Sequence, residues 1–169
     1  MSLDKYIDEI KKMLDKYKIT RDNYKKMILI LFRIFTNIPI ILIGETGRGK
    51  TELIKQLIKL LNNGEEDCII IKNMHSGVKE IEIKEVIDEA EKKIGKSTNG
   101  MICIFFDGIN TTTLLSKMTE IFVNHSFKGK KIAENTRFIG ACNPFRKKEK
   151  EENDIGLRLS FFTKNITLI

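Results

Sequence analysis

Residues 44–51 read Gly44-Glu45-Thr46-Gly47-Arg48-Gly49-Lys50-Thr51 and satisfy the pattern G-x-x-x-x-G-K-S/T at every fixed position. Each fixed residue type has a task in holding a triphosphate. The glycines let successive backbone N–H groups turn inward around phosphate oxygens, the lysine ammonium reaches the β and γ oxygens, and the final hydroxyl is a hard ligand for Mg2+. A helix beginning here aims the positive end of its dipole at the same anions. All eight residues are therefore candidate nucleotide-binding residues, with Lys50 acting on the phosphoryl oxygens and Thr51 a metal ligand. The expected ligand is a purine triphosphate with Mg2+, which makes ATP the leading cofactor.

A second constellation is "MICIFFD", residues 101–107, an apolar run that ends in a single carboxylate. In chains with a phosphate loop, a strand of this kind delivers an aspartate that holds Mg2+ directly or through water. Asp107 is the candidate for that role. Many ATPases of this shape place a glutamate next, where it polarises the attacking water. Here the next residue is Gly108, which has no side chain to accept a proton. Glu45, inside the loop, and Glu120, further on, are the candidate substitutes. Glutamates usually lie in solvent or in ion pairs, and that is the expectation for both.

These residues need elements to hold them. "IPIILI", residues 38–43, is a short, continuous apolar run rich in β-branched residues, the pattern of a strand buried on both faces. After the phosphate loop the period changes to that of a helix, with Leu53, Leu57, Ile58 and Leu61 on one face. Strands and helices then alternate: strand "CIIIK", a helix near 81–94, strand "MICIFF", a helix near 114–123, strand "RFIGAC" and a last apolar segment "LRLSFF". That alternation predicts a three-layer α/β fold with a central, mostly parallel, five-stranded sheet. Two helices are expected before it. The first carries Leu3, Tyr6 or Ile7, Ile10, Leu14 and Tyr17; the second begins near Thr20 with Tyr24, Met27, Ile28, Leu31 and Phe35 on one face. The expected division is 1–36 as a helical segment packed on the core and 37–169 as the core itself. The charged run of residues 146–156 reads as a solvated loop.

Composition narrows the partners. A chain of 169 residues can bury a core without disulfides or metals, and its 41% hydrophobic and 31% charged residues fit a globular domain. The net charge of +7 raises nucleic acid as a partner, but only six of the 30 basic residues are arginine and no stripe of aromatics interleaves them for stacking bases. Scattered lysine marks a solvated surface, so nucleic acid is not the expected partner. The N-terminal residues alternate charged and apolar side chains, unlike a secretory leader, and no apolar stretch reaches the roughly 20 residues of a spanning helix. No membrane partner is expected. Cys68, Cys103 and Cys142 each fall in an apolar run, which fits buried thiols in a reducing, cytoplasmic setting.

The run "FFDGINTTTLLSKMTEIFVNHSFKGKKIAENTRFIGACNPFR", with "IPIILIGETGRGKT", resembles the AAA+ modules of the mysterin-type giant ubiquitin ligases, whose pattern includes "GETGCGKT", "HAG" and "ACNPYR". The resemblance spans residues 38–146. It implies an AAA+-like P-loop NTPase with Lys50 and Thr51 on phosphate and Mg2+, Asp107 as the second-motif carboxylate, and Asn143 as the sensor 1 residue that contacts the γ-phosphate or positions water. It further implies that Arg146 matches the arginine of "CNPYR", which could stabilise phosphate charge in its own or a neighbouring subunit, and that His75 in "NMHSG" matches the family's His-x-Gly segment. The resemblance makes further copies of the chain, or neighbouring AAA+ modules, the expected protein partners. Three departures stand out. Gly108 replaces the glutamate, Asn124 stands where an acidic residue is usual, and too little chain follows the linker for the helical lid of an AAA+ module. Nothing resembles a zinc-binding ligase domain.

Three functions stay open on this reading. One is a Mg·ATP-binding module with weak hydrolysis. Another is a non-hydrolysing nucleotide-binding module that serves interaction or scaffolding, and the third, ranked lowest, is a small-molecule kinase sharing the phosphate loop.

Overall fold

A computed structural model of the chain describes residues 7, 8, 10, 11, 20–45, 49–62, 67–94, 100–143, 167 and 168. Helix α1 (Arg21–Phe35) starts where the Thr20 hydroxyl oxygen accepts the backbone N–H of Asn23 at 3.3 Å, a side-chain N-cap. Its sequence is apolar on nearly every side, so neighbours decide which face is buried. Met27, Ile30, Leu31 and Ile34 enter the core, whereas Phe35, expected on the inner face, is 46% exposed. Before it, residues 7, 8, 10 and 11 are helical and Ile10 is fully buried. Leu3, Tyr6, Leu14 and Tyr17, like the charged run and "LRLSFF", lie outside the described residues.

Strand β1 (Ile40–Ile43) leads through the phosphate loop into helix α2 (Lys50–Leu61), followed by β2 (Ile69–Asn73), α3 (Glu80–Ile94), β3 (Ile102–Asp107), a 3-10 turn (Ile109–Thr111) and α4 (Leu115–Asn124). A small antiparallel hairpin, β4 (Ser126–Phe127) with β5 (Lys130–Lys131), precedes β6 (Thr136–Cys142), and β7 (Thr167–Leu168) is the last strand. The main sheet has five strands in the order β2-β3-β6-β1-β7, with parallel pairing throughout. From β1 the chain crosses to the far edge of the sheet and then works back. Right-handed crossovers in those opposite directions set α2 on one face and α3 and α4 on the other. The three-layer α/β expectation is met.

The middle strands show why their sequences are continuous apolar runs. Residues Ile102–Phe106 of β3 are all buried, and so are all residues of β6 but Arg137. Phe106 and Phe138 flank Phe122 of α4 with ring centroids 6.1 and 6.0 Å away. Gly140 sits beneath them. A Cβ there would lie 2.9 Å from Ile109 Cδ1 and 3.2 Å from Phe122 Cζ, so glycine sets how closely α4 approaches the sheet. Gly140→Ala is expected to destabilise the fold by about 1 kcal/mol, the low end for overpacking, because Ile109 can turn away but the Phe122 ring cannot. A urea midpoint with unchanged slope measures it.

Arg137 ties the sheet to α1: its Nε–H donates to the carbonyl of Ile34 at 2.7 Å. A cation there also meets the negative end of the helix dipole. Cys68, Cys103 and Cys142 are buried and in no disulfide, as their apolar runs predict, and burial pushes the Cys103 thiol far above its usual range. Among the described residues no helix is long and apolar enough to cross a membrane.

Candidate nucleotide site

The two motifs meet because of strand order. β1 and β3 each pair with β6, in registers that bring Ile43 beside Cys142 and Asp107 beside Ala141. Parallel strands end on the same side, so the phosphate loop, Asp107 and Asn143 emerge together at the carboxyl edge of the sheet. This is the edge where open α/β sheets bind ligands.

Lys50 is the first residue of α2 and folds back over the loop. Its ammonium donates to the carbonyl of Gly44 at 2.6 Å, to that of Glu45 at 3.0 Å and to Oδ1 of Asn143 at 3.2 Å. Three oxygens surround one cation, and none of them carries a charge. Gly44 is held by its own N–H, which donates to the Cys142 carbonyl at 3.2 Å. Gly49, before the helix, has φ 74°, a left-handed backbone that suits glycine. Thr46, Gly47 and Arg48 lie outside the described residues, as does Arg146.

One residue further on, the Thr51 hydroxyl donates to Oδ2 of Asp107 at 3.3 Å. Two hard oxygen donors from distant segments stand side by side, and cis ligands of an octahedral Mg2+ with 2.0–2.1 Å bonds sit about 3 Å apart. The pair fits Mg2+, which is commonly held by one or two protein oxygens and the phosphates of its nucleotide. Among the described residues, no group of three or more His, Cys, Asp or Glu is arranged to hold a metal ion by itself.

Gly108 is more than a missing glutamate. Its φ is 80°, its N–H donates to the Ala141 carbonyl at 2.9 Å, and a Cβ on it would lie 3.0 Å from the carbonyl oxygen of Met74. That carbonyl is pinned, since Met74 N–H donates to Asp107 O at 2.6 Å and the Thr111 hydroxyl, with its single proton, lies 2.9 Å from it and 2.8 Å from the Gly108 carbonyl. The backbone after Asp107 therefore turns away in a form built for glycine.

The substitute carboxylates divide. Glu120 is engaged elsewhere: its Oε1 accepts the N–H of Gly129 at 2.8 Å and its Oε2 lies 3.5 Å from Lys117 Nζ, which ties α4 to the β4–β5 turn. It is a structural group. Glu45 stays at the loop, exposed, with its carbonyl on Lys50. His75 is also local, its Nδ1 accepting the N–H of Gly77 at 3.1 Å.

Two features escape a reading of the sequence. Asn110, in the turn after Gly108, donates from Nδ2 to the carbonyl of Asn143 at 3.3 Å. Beside the loop lies a groove of about 480 Å³, walled by Thr20, Asp22, Asn23 and Lys26 of the α1 end and by Gly44, Glu45 and Leu53. Only tertiary structure brings those pieces together.

Comparison with known proteins gives the family. The sequence profile of the family described as "RNF213 AAA domain" matches residues 17–146. The chain is 38% identical over 141 residues to the E3 ubiquitin-protein ligase RNF213 of Homo sapiens, covering 80% of this chain. It is 35% identical over 143 residues to that of Mus musculus, and 34% identical over 138 residues to the E3 ubiquitin-protein ligase rnf213-beta of Danio rerio, covering 81% and 78% of this chain. It spans only about 3% of the length of each of these relatives. With a parallel α/β sheet, both motifs at its carboxyl edge and a matched profile over most of its length, this chain belongs to the RNF213 AAA domain family.

Proposed function

We propose that this module binds Mg·ATP and turns it over slowly, so that occupancy of the site rather than catalytic flux is its output. The observation that carries the reading is the convergence of Lys50, Thr51, Asp107 and Asn143 on one edge, with Thr51 and Asp107 3.3 Å apart. Lys50 would exchange its three neutral oxygens for phosphate oxygens, a stronger charge-assisted contact. The loop N–H groups and the α2 N-terminus would hold the remaining phosphate charge. The groove beside Thr20–Lys26 would receive the base and ribose. Thr51 and Asp107 would hold Mg2+, which when bound neutralises charge on the β and γ oxygens.

Gly108 favours binding over turnover. Without a carboxylate after Asp107, the general-base contribution of typically 10²- to 10⁴-fold is missing at that position. The module would work in a reducing, cytoplasmic environment, in keeping with three buried thiols outside any disulfide. Its protein partners would be further AAA+ modules or copies of itself. Ubiquitin ligation belongs to the named relatives and is not part of the reading.

Titration with a fluorescent ATP analogue tests it. We expect one saturable site, weakened roughly tenfold when EDTA removes Mg2+, because the ion bridges phosphate and carboxylate charge. No saturable binding, or the same affinity in EDTA, would overturn the proposal.

A further inference from the structure

We propose that Asn110 is a positioning residue that aims Asn143 at the terminal phosphate and so lets the site tell a nucleoside triphosphate from a diphosphate. The inference rests on the nucleotide-binding reading above. Asn110 is 33 residues before Asn143, in the turn that follows the second motif, and its Nδ2–H donates to the Asn143 carbonyl at 3.3 Å. The orientation of that carboxamide follows from chemistry: reversing it would set oxygen against oxygen, so the nitrogen must face the carbonyl. Its other end, Oδ1, is buried and has no hydrogen-bond partner among the described residues. Leaving an acceptor buried without a partner is unfavourable, and the donor contact with Asn143 is what the side chain makes in return.

The position of Asn110 is itself fixed from two sides. Gly108 N–H donates to the Ala141 carbonyl at 2.9 Å, and Thr111 N–H donates back to the Gly108 carbonyl at 2.9 Å, so the turn is held against the end of β6. The side chain of Asn143, now held by its backbone, puts Oδ1 3.2 Å from the Lys50 ammonium. When a terminal phosphate takes Lys50, that oxygen loses its cation, and rotation of the carboxamide presents Nδ2–H to the anion instead. Such a switch needs a fixed Asn143 backbone. Among the described residues Asn110 is the side chain that holds it, and through the turn it joins the Thr51–Asp107 pair to the Lys50–Asn143 pair.

The test compares ATP and ADP affinities, each measured by competition against a fluorescent nucleotide in Mg2+, for the wild type, Asn110→Ala and Asn110→Asp. In the wild type ATP should bind more tightly than ADP. Both variants should lower that preference by about tenfold, the size of one hydrogen bond to a charged group, with ADP affinity kept within twofold. Asn110→Asp matters because it preserves shape but places an acceptor against the Asn143 carbonyl, and it carries the test if Asn110→Ala fails to fold. A parallel fall in both affinities would show a merely structural role and overturn the inference, as would an unchanged preference in either variant. A wild type that binds both nucleotides equally also overturns it while leaving the binding site intact. Failure of the wild type to bind either nucleotide overturns the underlying reading, and this inference with it.

Discussion

Replacing Lys50 with alanine is expected to weaken Mg·ATP binding about a hundredfold or more, since two hydrogen bonds from a charged donor are each worth roughly 1.5–3 kcal/mol. The size follows from the company the ammonium keeps. Among the described residues its acceptors are two carbonyls and a carboxamide, all neutral, which leaves its charge for an anion to match. Coulombic attraction to an anion is also strengthened by partial burial at the loop. The field of Lys50 already reaches Cys142, whose thiol is pushed up by burial and drawn down by the ammonium. Stability should change far less, because the freed Gly44 and Glu45 carbonyls can turn to water. Calorimetry or fluorescence titration of Lys50→Ala decides the point, and an affinity within threefold of wild type would refute the site.

Gly108→Glu should fail as a repair. Simple substitution logic says that restoring the missing glutamate restores hydrolysis, but residue 108 has φ 80° and its Cβ would meet the Met74 carbonyl at 3.0 Å. A left-handed backbone costs a residue with a Cβ roughly 1–2 kcal/mol, and overpacking against a pinned carbonyl adds about 1–2 more. We expect a loss of about 2–4 kcal/mol, which for a domain of this size lowers the melting temperature by about 4–16 °C. Gly108→Ala should show most of that loss, since the strain begins at Cβ. Phosphate release in a single-turnover assay should not rise in either variant. A stable Gly108→Glu protein with a rate increase of 10²-fold or more, the range of general-base help, would show that the turn can reopen and that only the carboxylate was missing.

The architecture was largely legible in the sequence. Strands such as β1 and β3 are buried on both faces and so leave continuous apolar runs, and the phosphate loop marks where one ends and α2 begins. α1 was harder, because its "MILILFRIF" stretch offers apolar residues in every direction and periodicity cannot choose among them. Ile30 and Ile34 are buried where Phe35 was expected. The β4–β5 hairpin left no trace: its strands are two residues each, too short for alternation, and its turn puts Lys128 at φ 52°, a conformation usually filled by Asn or Gly.

The site divides in the same way. Residue types and spacing pointed to Lys50, Thr51 and Asp107, whose chemistry is local to their motifs. Asn143 came from family resemblance. Asn110 belongs to none of these, because its bond to Asn143 exists only once β3 and β6 lie side by side. The character of Gly108 was also hidden, since a sequence records an absent side chain but not the backbone torsion that accompanies it.

The contacts of α1 bear on where this module can be cut. Near its start, Thr20 to Lys26 wall the groove beside the phosphate loop; at its end, the Ile34 carbonyl receives the Arg137 guanidinium from β6. A truncation that opened at β1, the first strand of the sheet along the chain, would remove one side of the binding groove and strand a half-buried cation. The smallest expressible unit that keeps the site whole therefore begins upstream of Thr20, well before the motif that advertises it.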